Sequence, residues 1–405
     1  MAVSVERVPT EVVVPTKAFV PDPYLDLDTY EADADLMTLS LGPQHPSTHG
    51  VFRVVLYLDG EIIVKAVPHC GYLHRGVEKL CEKLSYSNIT PILDKNDYVS
   101  PMLNEQAANM AFEKLMGIEV PLRARYLRTL IAELQRIASH LLWLGTFAMD
   151  LGGALGGGTS VFMFCFRERE LILDLFEELT GCRFHYNTHH VGGNRHDIPP
   201  QWPAMVHQAL DTIEARLDAY LSMLEHPIFI DRTKGVGTID AQLALELGLS
   251  GPLLRASGVD HDLRRDAPYG VYDLLDVKVA VDGGGDCYAR YKVRLAEIRE
   301  SIRLSRLLVD NVPAGPLSAT KPLNMVTQFK ATTGQVYVGV ETPRGELGTW
   351  LIASKDKPTS PYRFKIRPPS LHAAAAVPYV FPGHTLSDAI AILGSLDPIM
   401  GEVDR

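Results

Sequence analysis

Cysteine is scarce: five residues in 405, Cys70, Cys81, Cys165, Cys182 and Cys287, with no Cys-x-x-Cys pair. That excludes a thiolate cage for a metal, and an odd, scattered set points to reduced, mostly buried thiols rather than a disulfide framework. Long apolar runs are missing too. The most apolar stretch, residues 141–155, contains Asp150 and several glycines, and nothing approaches the ~18 apolar residues of a membrane span. The chain has no basic excess. Lys plus Arg number 39 against 49 Asp plus Glu, a formal net charge of -10, which removes the basic face that nucleic-acid binding needs. The first residues show no basic segment followed by an apolar core, so no secretory signal is expected. Repeats of solenoid length are absent. What remains is ordinary globular composition, 46% hydrophobic and 22% charged, in a length that suits one large fold or two closely joined domains.

Several catalytic signatures are also absent. There are 14 histidines but no His-Glu-x-x-His; His45 and His49 are separated by Pro46, and His189 and His190 are adjacent and diverge. No metal site is expected from them. The glycines at 152–158 and 192–193 fit neither a dinucleotide fingerprint nor a phosphate loop with its lysine, so nucleotide binding is not expected.

The pattern that is present reads as α+β, a long-helix bundle core with small antiparallel sheets from both chain ends. Residues 1–35 read as an extended N-terminal arm. Within 36–405, an N-terminal sheet is expected over 36–70, with Asp59-Gly60 as a hairpin turn. A helical core follows over 77–310. Ser100 and Pro101 open a helix that runs to Met116, and Pro121 opens a long one whose apolar positions, Leu127 to Leu144, recur at three and four residues. That helix is expected to reach Met149, with Asp150 at its end. Helices are also expected from about Ser160 to Gly181, Pro203 to Leu224, Asp240 to Leu247 and 288 to 309, with polar loops at 184–193 and 254–259. The last part, 330–405, reads as strands Gln335 to Glu341, Gly348 to Ala353 and Tyr362 to Ile366, then a helix from about Ser387 to Gly394.

One loop stands out. Gly42-Pro43-Gln44-His45-Pro46-Ser47-Thr48-His49-Gly50 joins two strands and is too rich in proline and glycine for a helix. It is either a hairpin turn whose hydroxyls bond their own backbone or a rigidly held polar site. Tyr98, just before the Ser100 helix start, is either a core tyrosine with a satisfied hydroxyl or a donor to a reducible headgroup. Residue types alone leave both questions open.

These stretches resemble the D-type (49-kDa-type) subunits of the proton-pumping NADH:quinone oxidoreductase, respiratory complex I. The resemblance is carried by the loop at 42–50, by Gly71-Tyr72-Leu73-His74-Arg75-Gly76-Val77-Glu78-Lys79-Leu80, and by Asp97-Tyr98-Val99-Ser100-Pro101-Met102. Phe166-Arg167-Glu168-Arg169-Glu170, Leu254-Arg255-Ala256-Ser257-Gly258-Val259 and Gly401-Glu402-Val403-Asp404-Arg405 complete it, in order from about Leu36 to the last residue. The family is related to the large subunit of nickel-iron hydrogenases, which implies a similar fold. Where those enzymes hold metal with Cys-x-x-Cys pairs, this chain reads Asp97-Tyr98-Val99-Ser100 and Asp397-Pro398-Ile399-Met400-Gly401-Glu402, without thiolates.

The resemblance implies that the emptied pocket admits quinone, with no redox cofactor on this chain and a [4Fe-4S] cluster in an adjacent iron-sulfur subunit. His49 and Tyr98 would be the quinone-binding donors. Asp150 would pair with His49 as a third catalytic residue, since a carboxylate beside an imidazole raises its pKa. Arg75, Lys95 and His185 would lie near the partner's cluster. Two positions depart from the family pattern: Lys95 and His190 stand where arginine is usual, and lysine keeps the charge but loses the bidentate fork. Implied partners are the iron-sulfur B-type subunit, the C-type subunit, the membrane H- and A-type subunits and the ferredoxin-like I-type subunit. The chain would sit peripherally on the cytoplasmic side of the bacterial inner membrane and couple quinone reduction to proton pumping. The alternative is a scaffold subunit of the same complex, or of a relative using a ferredoxin or deazaflavin donor, without direct quinone contact.

Overall fold

In this computed structural model, residues 36–155, 158–319, 329–331 and 333–405 are described. The arm expected over 1–35 lies outside the described residues. The first sheet comprises β1 (Met37–Leu41), β2 (Arg53–Asp59) and β3 (Ile62–His69), antiparallel in that order, with Asp59 opposite Ile62 across the expected hairpin. The 42–50 loop joining β1 to β2 is not free of helix: Pro46–Thr48 form one 3-10 turn. Proline at its first position costs nothing there, because that N–H needs no partner within so short a turn.

Two short helices, α1 (Val77–Cys81) and α2 (Tyr86–Leu93), lead to α3 (Pro101–Met116). Ser100 does occupy the N-cap of α3, but its hydroxyl donates to Asp97 Oδ2 instead of receiving from the helix. The spine is α4 (Leu122–Leu155), whose 34 residues span about 51 Å at the α-helical rise. It runs past Met149, so Asp150 lies inside its last turns and not at its end. Alongside it pack α5 (Gly158–Thr180) and, beyond α5, α6 (Trp202–Leu224). The histidine stretch between α5 and α6 is pinned as a two-residue ladder, β4 (His189–His190) on β5 (Gly193–Asn194).

Four short helices follow, α7 (Pro227–Thr233), α8 (Ala241–Glu246), α9 (Gly251–Ala256) and α10 (Leu263–Asp266). The 254–259 loop is therefore half helix. Its arginine is the reason: Arg255 is fully buried and bonds Glu297 and Glu341, so the segment is drawn into the core. Helix α11 (Cys287–Asp310) returns along α4. The second three-stranded sheet is β6 (Gly334–Thr342), β7 (Gly345–Ala353) and β8 (Arg363–Arg367), also antiparallel. Helices α12 (Pro369–Ala375), α13 (Val377–Val380), α14 (Leu386–Leu396) and α15 (Met400–Asp404) close the chain. The last was not expected from the sequence; it is only five residues and has no apolar period to read. The main core gathers Leu134, Ile137, Leu141, Leu144 and Phe147 of α4 against Ile172 and Phe176 of α5, Ile298 and Ile302 of α11, and Ile392 and Leu396 of α14.

Candidate functional site

The 3-10 turn serves to aim His49. His45 Nδ1 accepts from the Ser47 N–H at 3.2 Å, and the Thr48 hydroxyl donates to the His45 carbonyl at 2.8 Å. His45 thus caps the turn. His49 follows it in the left-handed conformation, φ 52°, which swings its ring toward α4. There His49 Nε2 lies 2.5 Å from Asp150 Oδ2. Both side chains are largely buried, 12% and 8% exposed, so the pair is poorly screened. Burial alone lowers the imidazole pKa; the hydrogen bond and charge of Asp150, with Asp397, outweigh it and raise the value above 6.5. The carboxylate has room because Gly394 of α14 faces it: a Cβ there would stand 2.6 Å from Asp150 Oδ2.

His49, Asp150 and Tyr98 line one cavity of about 350 Å³, with Pro46, Leu142, Met149, Phe184 and Pro398 among its apolar walls. The size is at the lower end for a small-molecule site. Tyr98 is half-buried, and its hydroxyl has no hydrogen-bond partner among the described residues. It is therefore not a satisfied core tyrosine. Burial first, then the charge of Asp97, raises its pKa, so the phenol stays protonated and has a proton to offer to something in the cavity.

Behind the cavity wall, Asp397 is held by a residue missed in the sequence. Arg344 occupies the two-residue turn between β6 and β7, yet it is 4% exposed. It donates to Asp97 Oδ2 at 3.0 Å and to Asp397 Oδ1 at 3.2 Å, and to the Asp397 carbonyl at 3.1 Å. It ties the segment before Tyr98 to the cavity-lining Asp397. The available signal was a charged residue in a Pro-Arg-Gly turn between two apolar strands, where solvent exposure is the ordinary expectation. Arg169 of α5, inside one of the family's motifs, also reaches the cavity, and burial lowers its pKa. At Gly401 a Cβ would lie 2.7 Å from the Asn96 carbonyl and 3.3 Å from the Tyr98 ring, so only glycine lets α15 close behind Tyr98.

Arg75, Lys95 and His185 gather on a neighbouring surface. Arg75 donates to the Lys95 carbonyl at 2.9 Å and to Asn96 Oδ1 at 3.0 Å. Both Arg75 and Lys95 are exposed. Burial first, then the charge of Lys95, lowers the pKa of His185. His190 instead is buried, receives from or donates to Ser318 Oγ at 3.1 Å, and is pushed down to about 4 by burial and two arginines. It is a neutral structural residue. Among the described residues no group of three His, Cys, Asp or Glu is placed to hold a metal ion.

With this geometry in place, the chain matches the family described as "Respiratory-chain NADH dehydrogenase, 49 Kd subunit" over residues 156–405. The NADH-quinone oxidoreductase D-type subunit of Geotalea uraniireducens is 43% identical over 92% of this chain and 100% of that protein. The equivalent subunit of Geobacillus thermodenitrificans is 46% identical over 91% of this chain and 98% of its own length. A solved chain of the membrane-bound sulfane sulfur reductase, an archaeal respiratory membrane complex, superposes with a TM-score of 0.87 at 34% identity, covering 93% of this chain and 100% of that one. The chain belongs to the family of NADH-quinone oxidoreductase D-type subunits, the 49-kDa subunits of respiratory-chain NADH dehydrogenase, and is a subunit of a respiratory oxidoreductase complex.

Proposed function

We propose that this protein lines the site where quinone is reduced and protonated, with His49 and Tyr98 as donors to the two carbonyl oxygens. The observation that carries the reading is the His49–Asp150 pair set into the wall of a cavity that also presents an unpartnered Tyr98 hydroxyl. A raised imidazole pKa keeps a proton at Nε2 near neutral pH, and Asp150 holds the resulting charge in place. Electrons come from a [4Fe-4S] cluster of an adjacent iron-sulfur subunit. Arg75, Lys95 and His185 face that subunit, and cations there favour a reduced, more negative cluster. The two stretches that stand where a nickel-iron hydrogenase carries its cysteines are joined through Arg344, which favours descent of the cavity from such a pocket. Among the described residues no helix is long and apolar enough to cross a membrane, so attachment to the membrane, on the cytoplasmic side, runs through partner subunits. Coupling to proton pumping runs through the same partners, as do the contacts with the B-, C-, I-, H- and A-type subunits.

His49→Ala and Tyr98→Phe in the assembled complex test this. Quinone reduction by NADH falls while NADH oxidation by an artificial acceptor survives. Equal loss of both activities points to failed assembly, and unchanged quinone reduction sinks the reading. The rival, a scaffold without quinone contact, has support from the superposed chain, whose complex is named a sulfane sulfur reductase. It predicts unchanged quinone kinetics in both variants.

A further inference from the structure

We propose that Asp94 and Glu105 share a single proton and that this carboxyl pair positions the histidine loop carrying His185. Asp94 ends α2 and is 1% exposed; Glu105 lies in α3 and is fully buried. Each spends one oxygen on the backbone of the same loop. Asn187 N–H donates to Asp94 Oδ2 at 3.2 Å, and His189 N–H donates to Glu105 Oε2 at 2.7 Å. Asp94 Oδ1 and Glu105 Oε1 are buried without a hydrogen-bond partner among the described residues, and the two carboxyl groups lie close enough for one to donate to the other once it carries a proton. Two carboxylates cannot occupy that geometry with both charges, so one proton bridges them.

Among the described residues neither carboxyl has an ion-pair partner. The Lys95 amine is exposed and donates to the Pro91 carbonyl. The groups facing Asp94 are Lys95 on its own segment and His185 and Tyr186 on the loop, the last with a neutral phenol; those facing Glu105 are Asp94 and the Thr188 and His189 amides. Burial, then the charge of Asp94, holds the Glu105 carboxyl well above its ordinary range. The loop held this way carries two non-glycine residues at positive φ, His185 at 61° and Asn187 at 46°, a conformation that needs such external bonds. The pair therefore works as a clasp. While it keeps its proton the loop is closed; ionisation puts two charges side by side and releases it.

The sign follows from linkage. The closed loop holds a proton that an opened, hydrated pair gives up, so closure weakens as pH rises from the ordinary carboxyl range to the raised value of the pair. In the intact complex, hydrogen exchange of amides 186–190, corrected for intrinsic base catalysis, should lose protection by up to about tenfold per pH unit across that window. Glu105→Gln accepts from His189 and donates to Asp94 without a titrating proton; its protection is expected to be flat over the same pH range. Asp94→Asn carries the identical expectation should the first variant fail to assemble. A wild-type loop with pH-independent protection overturns the proposal, and so does an unchanged slope in either variant. The measurement needs no turnover, so it stands or falls apart from the quinone reading.

Discussion

Replacing Asp150 by asparagine isolates the charge behind the His49 donor. The amide keeps the size of the carboxylate and can still bond Nε2, but it removes the charge of Asp150 and leaves only a neutral acceptor, so the imidazole pKa loses most of what raises it. What remains is burial and Arg344, which lower it, against Asp397 and a neutral hydrogen bond. His49 then loses its proton at a lower pH than in the native chain. A hydrogen bond to a charged group contributes about 1.5–3 kcal/mol. If that is lost at the protonation step, turnover falls by roughly ten- to a hundredfold. The native pair is stable as an ion pair below the raised His49 value and weakens as pH rises through it, so the alkaline limb of the rate profile reports the pair. NADH:quinone turnover of the purified complex, measured across pH beside NADH oxidation by an artificial acceptor, should show two changes in Asp150→Asn. The rate falls, and the alkaline limb moves to lower pH, with the artificial-acceptor rate intact. An alkaline limb that stays where it was refutes the argument that Asp150 sets the proton affinity of His49.

Two further outcomes are expected. Arg344→Gln leaves Asp97 and Asp397 as buried, uncompensated carboxylates, which costs on the order of 3–5 kcal/mol; assembled complex should fall sharply by native gel, Arg344→Lys should recover part of it, and normal assembly of the glutamine variant contradicts the bridge. Burial and the charge of Asp97 push the Glu402 carboxyl up to about 7, so its contribution to stability is lost progressively as pH rises from the ordinary carboxyl range to that value. Glu402→Gln, which can keep the bond from Ser370, should flatten the decline in thermal stability between the ordinary carboxyl range and about pH 7, and an identical decline in both proteins argues against it.

How much of this is legible beforehand depends on the range of the forces involved. Helix starts and hairpins are readable where a few neighbouring residues decide them: Ser100-Pro101 does open α3, Asp59-Gly60 does turn β2 into β3, and Asp240 caps α8 through the Leu243 amide. The His45 cap is of the same kind, although the 3-10 turn it serves is hidden by the prolines around it. Family membership is legible as well, because its motifs are contiguous. Errors cluster where the deciding partner is far away in sequence. Arg255 turns a polar loop into buried helix because Glu297 and Glu341 wait for it. Asp150 lies within α4 because packing against α5 and α14 extends the helix past its glycines.

The sequence by itself determined the class of fold and the element boundaries set by caps and turns, and through the family resemblance it singled out His49, Tyr98 and Asp150 as candidates. Only the tertiary structure decided that His49 and Asp150 touch, that Tyr98 is left without a partner, that Arg344 joins Asp97 to Asp397, and that Asp94 meets Glu105. Local propensity acts over a few residues and is written in neighbours. Desolvation and charge pairing act between surfaces that only folding brings together, and those two effects set proton affinity throughout this site.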